Sequence, residues 1–178
     1  MSEAAPPADP PPVPRRRHPF LLGRNPRWTL VRALVLVAAV VVAFKFILLP
    51  IRVSGESMAP THRDGQVNFI HRRAYQGGHT PQRGDVVAIR TSGTRVLFLK
   101  RVIALPGEET AIVGGQVIIN RRPLFEPYLN RPIEAWNLPP RELGPDEYLV
   151  IGDNRSMPQE LHAFGVVRRE RIVGKALR

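Results

Sequence analysis

The sequence predicts an all-β, barrel-like domain carried on a single N-terminal transmembrane helix. Three observations lead there. One apolar segment, Trp28 to Leu49, is broken only by Arg32 near its start and Lys45 near its end. After Pro60 the chain alternates short β-prone runs with turn signals. Outside the apolar segment, no long stretch repeats with helical period.

In chain order, the stretch from Met1 to Pro19 carries seven prolines and few apolar residues. It cannot bury a core, so residues 1–27 read as a disordered Pro/Arg-rich tail. About 20 apolar residues cross the hydrocarbon layer of a bilayer, which makes residues 28–49 a transmembrane helix. Its two charges lie close enough to the ends to reach the interface. A cleaved signal peptide would have a shorter apolar region followed by a small-residue cleavage site. Here the apolar run continues into Leu48-Leu49-Pro50-Ile51-Arg52-Val53 instead. Arg15, Arg16, Arg17, Arg24 and Arg27 precede the span, and the positive-inside rule then puts the N-terminus in the cytoplasm. Residues 50–178 are expected on the outer side of the membrane.

The net charge of +11 divides almost evenly. Residues 1–52 carry eight Lys/Arg against two Asp/Glu, and residues 53–178 carry eighteen against thirteen. Half of the excess is therefore topogenic. A basic exported domain beside anionic headgroups accounts for the remainder, and no nucleic-acid partner is required. The chain has no cysteine, which excludes a cysteine nucleophile and thiolate metal sites.

Within residues 50–178 the candidate strands are Gln66–His71, Asp85–Arg90, Arg95–Ala104, Thr110–Val113, Gln116–Asn120, Tyr148–Ile151 and Ile172–Ala176. Thr91-Ser92-Gly93-Thr94 reads as a turn, and Gly114-Gly115 as a two-residue hairpin. The Pro-rich stretch from Pro123 to Pro145 reads as an extended excursion. There is no internal repeat.

Chemistry points to Lys100 and Ser57. Only three of the 26 basic residues are lysine: Lys45, Lys100 and Lys175. Arginine cannot lose its proton in a protein, whereas a desolvated lysine can become a neutral base. On a strand, Val96, Phe98, Lys100 and Val102 share one face, so Lys100 has apolar neighbours on its own side. To act near neutral pH its pKa must fall by roughly 2–3, a cost of about 3–4 kcal/mol that burial can impose. A barrel-edge lysine whose head snorkels to water fits the same pattern. Ser57, in Ser54-Gly55-Glu56-Ser57-Met58-Ala59-Pro60, is the candidate nucleophile. A Ser–His–Asp triad is the rival, drawing on His62, His71, His79 or His162 with Asp64 or Asp153, but no spacing favours any of them. No His-Glu-x-x-His occurs, so neither a metal nor a cofactor is expected.

In order, these segments resemble those of bacterial type I signal peptidase, a membrane-anchored Ser–Lys endopeptidase family. Ser54-Gly55-Glu56-Ser57-Met58-Ala59-Pro60-Thr61 resembles the nucleophile box and Arg83-Gly84-Asp85-Val86-Val87 a strand-entry box. Lys100-Arg101-Val102-Ile103-Ala104-Leu105-Pro106-Gly107 resembles the box of the general base. Gly152-Asp153-Asn154-Arg155, Phe164-Gly165 and Ile172-Val173-Gly174-Lys175-Ala176 resemble the C-terminal boxes. The resemblance covers about residues 28–178.

It implies that Ser57 is the nucleophile, Lys100 the general base and the Ser57 backbone N–H an oxyanion donor. Gly55 stands where some relatives add a serine to the oxyanion site. Val53, Ser54, Met58, Phe98 and Leu99 would line pockets for small side chains, while Asp153, Asn154 and Arg155 hold the scaffold. Pro158 falls where the family has a serine on the lysine, and Glu160-Leu161-His162 falls where Asp-Ser-Arg is usual. Ser156 and Glu160 are the candidate replacements. The implied partners are exported preproteins with signal peptides, the lipid bilayer and the protein translocation machinery, at a bacterial cell membrane. Ser57 lies about eight residues beyond the span, a reach below about 29 Å. Self-cleaving repressors share the chemistry but carry a DNA-binding helical domain in place of a span. A catalytically impaired, membrane-anchored β-domain that binds exported proteins is the non-enzyme alternative.

Overall fold

The computed structural model describes residues 25–90, 97–129, 133–161 and 165–177. The chain divides into two units, Met1–Val40 and Val41–Arg178. Helix α1, Pro26–Val42, supplies the described part of the first unit. Proline suits its first turn, where the missing N–H would have had no intrahelical partner. Its Leu and Val side chains are exposed all round the helix, among them Leu30, Val31, Leu34, Val35 and Val37. A π-helical turn, Ala43–Ile47, continues it. Among the described residues, Arg27–Ile47 is the one helix long and apolar enough to cross a membrane.

The helix ends earlier than the apolar pattern predicts. Leu48 turns extended, with φ −110° and ψ 129°, and strand β1, Leu48–Arg52, begins there. Pro50 explains the switch, because it has no N–H for a helix to use but is tolerated in an outer strand.

The second unit is mostly β, built as two antiparallel sheets. Strand β2 is Val67–His71, β3 Val86–Arg90, β4 Leu97–Ala104 and β5 Glu109–Val113. Strand β6 is Gln116–Ile119, β7 Arg122–Pro123, β8 Leu138–Glu142 and β9 Glu147–Ile151. Strands β10, Gly165–Arg168, and β11, Ile172–Ala176, complete the set. One sheet has the order β1-β2-β11-β3-β4-β9-β10, the other β7-β6-β5-β8. Among the described residues the larger sheet keeps two edges, β1 and β10.

All seven predicted strands lie within one or two residues of their expected bounds. The predicted turn at Thr91–Thr94 and the start of β4 at Arg95 fall outside the described residues. Gly114 and Gly115 form the expected hairpin turn with φ of 54° and 84°, the double positive φ of a type I′ turn. The Pro-rich excursion, however, contains β7 and β8. Strand β8 includes Pro139 and Pro140 and still pairs with β5 on one side.

Period-two alternation sorts the core into layers. Val86 and Ala88 of β3 pack with Val53, Met58, Ile70 and Leu99 on one face. Val87 and Ile89 pack with Val102, Tyr148 and Val150 on the other. Leu149 and Ile151 of β9 join Ile103, Ile112, Val117 and Trp136, which fastens the smaller sheet to the larger. Ile151 is fully buried there. Ile151→Ala should cost about 2–5 kcal/mol in urea unfolding, whereas Val113→Ala, at a site 58% exposed, should stay within about 0.5 kcal/mol. Equal effects at the two sites would contradict this assignment of the core.

Candidate functional site

Ser57 sits in the turn that follows β1. Val53 anchors that turn, donating its N–H to Gln66 O at 2.8 Å while its own carbonyl accepts from Gly65 N at 2.9 Å. Met58, 1% exposed, plugs into the core one residue after the serine. Ala59 N closes the turn on Glu56 O at 2.9 Å. Gly55 adopts φ +92°, a conformation that an L side chain resists, and its N–H donates to Asp64 Oδ1 at 2.8 Å. A Cβ at Gly55 would meet nothing within 4 Å. Backbone geometry, not space, is therefore what glycine supplies there.

Lys100 lies within β4 opposite Val87. It is only 2% exposed, and Val102 on the same face is fully buried, while Phe98 is 37% exposed. Lys100 Nζ lies 2.7 Å from Ser57 Oγ. Burial pushes the Lys100 pKa down to about 8, against the charge of Asp153, which works to raise it. An amine of that pKa touching a hydroxyl can exchange a proton with it near neutral pH. Among the described residues no histidine bonds to Ser57. Asp64 is engaged by Gly55, and Asp153 by Arg101.

The Asp153 charge opposes deprotonation of Lys100, but its carboxylate is occupied. Arg101, next to Lys100 and pointing to the opposite face, donates Nε to Asp153 Oδ1 at 2.8 Å and Nη2 to Oδ2 at 2.5 Å. Thr61 donates its hydroxyl to the same carboxylate. Asn154 braces the serine turn directly: its N–H donates to Ser57 O at 3.0 Å and its Nδ2 to Glu56 O at 3.2 Å. Ser156 donates to Asn154 Oδ1 at 2.6 Å, so its hydroxyl is directed at the brace and not at Lys100. Glu160 is exposed in a short 3₁₀ turn, Gln159–Leu161, and forms no ion pair among the described residues. His162 and Phe164 fall outside them.

A groove of about 850 Å³ runs past the serine. Val53, Ser54, Met58, Phe98 and Leu99 all line it, together with Gly55 and Ser57. Leu49 and Ile51 of β1 and the side chains of Arg52, Arg72 and Arg90 complete its walls.

The chain matches the family model described as "Signal peptidase, peptidase S26" over residues 27–178. It belongs to that signal peptidase family. A relative named signal peptidase I from Leptolyngbya laminosa is 34% identical over 134 residues, covering 70% of this chain and 64% of the relative. A probable signal peptidase I-2 from Synechocystis is 33% identical, over 70% of this chain and 59% of that one. Signal peptidase IB of Staphylococcus aureus is 30% identical, over 83% and 85%. The chain thus spans just under two thirds of the length of the first two. A crystal structure of a signal peptidase I from Enterococcus faecalis aligns with TM-score 0.43 at 26% identity, covering 54% of this chain and 96% of that one.

Two residues that meet the arginines behind the serine, Glu126 and Tyr128, are not singled out by the sequence, whereas Arg155 is. Arg155, 1% exposed, donates Nη2 to Glu126 Oε1 at 2.5 Å and Nε to Gly152 O at 3.0 Å. Tyr128 donates its hydroxyl to Glu126 and places its ring 4.1 Å beneath the Arg101 guanidinium. Burial, reinforced by Glu126, pushes the Tyr128 pKa well above its ordinary value. Glu126 and Tyr128 lie in the Pro-rich stretch, where no periodicity marks them. Glu126→Ala would leave the buried Arg155 charge unpaired, with an expected loss of about 3–5 kcal/mol in urea unfolding. The double replacement Glu126→Leu with Arg155→Met should recover much of that loss. A single variant as stable as the parent protein would contradict the pairing.

Proposed function

We propose that this chain is a membrane-anchored serine endopeptidase that removes N-terminal signal peptides from exported preproteins. Ser57 is the nucleophile and Lys100 the general base. The observation that carries this reading is the 2.7 Å approach of Lys100 Nζ to Ser57 Oγ at a site that strips the amine of water. Family membership and relatives named signal peptidase I support the substrate class.

Neutral Lys100 takes the hydroxyl proton as Ser57 Oγ attacks the scissile carbonyl. The Ser57 backbone N–H donates to no acceptor among the described residues, which suits it to the developing oxyanion. One such donor is worth about 2.7–4 kcal/mol. The lysine's proton then passes to the leaving amine, and the regenerated base activates water to free the acyl-enzyme. Val53, Met58 and Leu99 form the apolar floor on which small substrate side chains rest.

Arg27–Ile47 is the span, because 21 helical residues reach about 31 Å, enough for a hydrocarbon core of about 30 Å. The N-terminus is cytoplasmic, and the two sheets form a barrel-like catalytic domain on the outer side. A second reading, an impaired β-domain that binds exported proteins, draws on Pro158 and on the turn of Ser156 towards Asn154, which leave Ser57 as the side-chain hydrogen-bond partner of Lys100 among the described residues.

A proteoliposome assay with one labelled preprotein separates the two. Wild-type protein should cleave it, and both Ser57→Ala and Lys100→Arg should lose at least about a thousandfold, since removing a dyad member disables the unit. Substantial turnover by Lys100→Arg would sink the base assignment, and an inactive wild type would favour the binding reading. Because the base must be neutral, kcat/KM should rise about tenfold per pH unit below pH 8 and level off above it. A profile that is flat between pH 6 and 9 would contradict an essential group with this pKa.

A further inference from the structure

Beside the serine groove lies a second pocket that shares Arg72 and Arg90 with it but does not reach Ser57 or Lys100. It has a volume of about 700 Å³ and is lined by Lys45, Phe46, Arg72, Arg73, Arg90 and Glu170, among others. Four cations face one carboxylate. All four basic side chains are exposed, and among the described residues none of them is ion-paired.

The pocket is built into the β-domain's own framework. Arg72 follows β2, donating its N–H to Ile47 O at 2.8 Å and its Nη1 to Lys45 O at 3.3 Å. Phe44 packs edge-on against Phe69 at 6.0 Å. These contacts hold the π-helical turn against the end of β2, with Phe44 and Phe46 still 44% and 54% exposed. Lys45 stands two residues before the end of the apolar helix. In a chain that spans a bilayer, a lysine so placed extends its ammonium to headgroup depth. A cationic pocket at that depth meets phosphodiesters.

We infer that this pocket binds the anionic phosphate headgroup of a membrane phospholipid. The inference rests on the reading of Arg27–Ile47 as a span and goes beyond the proposed peptidase activity. The pocket shares Arg72 and Arg90 with the serine groove, so a bound headgroup forms part of the wall against which a substrate lies.

Full-length protein in nanodiscs, read by native mass spectrometry, tests this with phosphatidylglycerol against phosphatidylcholine as probes. Each basic side chain near an anionic headgroup is worth about fivefold. Wild-type protein should retain phosphatidylglycerol over phosphatidylcholine by at least about tenfold. Lys45→Gln with Arg73→Gln should cut the preference by at least about tenfold, whereas the charge-matched Arg121→Gln with Arg122→Gln should keep it. Ser57→Ala should keep it too, so failure of the peptidase account and failure of this one are separable. Protein that enters the discs but shows no preference, or loses it equally in both charge variants, overturns the pocket. Protein that does not enter discs overturns the span and the pocket with it. Displacement of the lipid by equimolar inorganic phosphate would make free phosphate the ligand and overturn the lipid source. Retention of an acidic precursor peptide in phosphatidylcholine discs, lost in Lys45→Gln with Arg73→Gln, would assign the pocket to substrate instead.

Discussion

A lysine amine is held out of water beside a serine hydroxyl, with Lys100 Nζ 2.7 Å from Ser57 Oγ. Desolvation lowers the Lys100 pKa, and the Asp153 charge opposes it. The surrounding structure limits that opposition. Arg101, the next residue on the strand, alternates to the other face and binds both oxygens of Asp153. One dipeptide on β4 therefore supplies the proposed base and pairs the carboxylate that works to keep it charged. A fixed guanidinium does the second job, because it cannot give up its proton.

The same carboxylate loop also sets the position of the serine. Asn154, between the two charged residues that bind arginine or glutamate, donates to the carbonyls of Glu56 and Ser57. Arg155 is locked by Glu126 and lies 5.9 Å from the Trp136 ring centre. Trp136 in turn packs in the layer between the sheets. The relative position of Ser57 and Lys100 is thus tied through buried ion pairs to the smaller sheet, although no residue of that sheet lines the serine groove.

Much of this was legible in the sequence, and what was missed has a common cause. Every predicted strand is an interior or hairpin strand with β-branched residues on a buried face. The four unforeseen strands, β1, β7, β8 and β10, are the four sheet edges. An edge strand has one hydrogen-bonding neighbour and often one solvated face, so it can carry Pro50, Pro123, Pro139 or Pro140 and shows no alternation. The pair at the groove was visible because a lysine within an apolar strand is unusual in a chain that otherwise relies on arginine. Glu126, Tyr128 and Thr61 were not, since their partners are distant in sequence and no local pattern marks them. Ser156 could not be resolved from order alone, because its direction is set by Asn154.

With only three lysines in the chain, the titration of Lys100 is directly measurable. With lysine labelled at Cε, an NMR titration from pH 6 to 11 gives one curve per lysine, and Lys100→Arg identifies the relevant signal by its loss. That signal should have its midpoint near pH 8. A midpoint near the ordinary lysine value of about 10.4 would mean that the amine stays charged beside Ser57, and the proposed chemistry would fail.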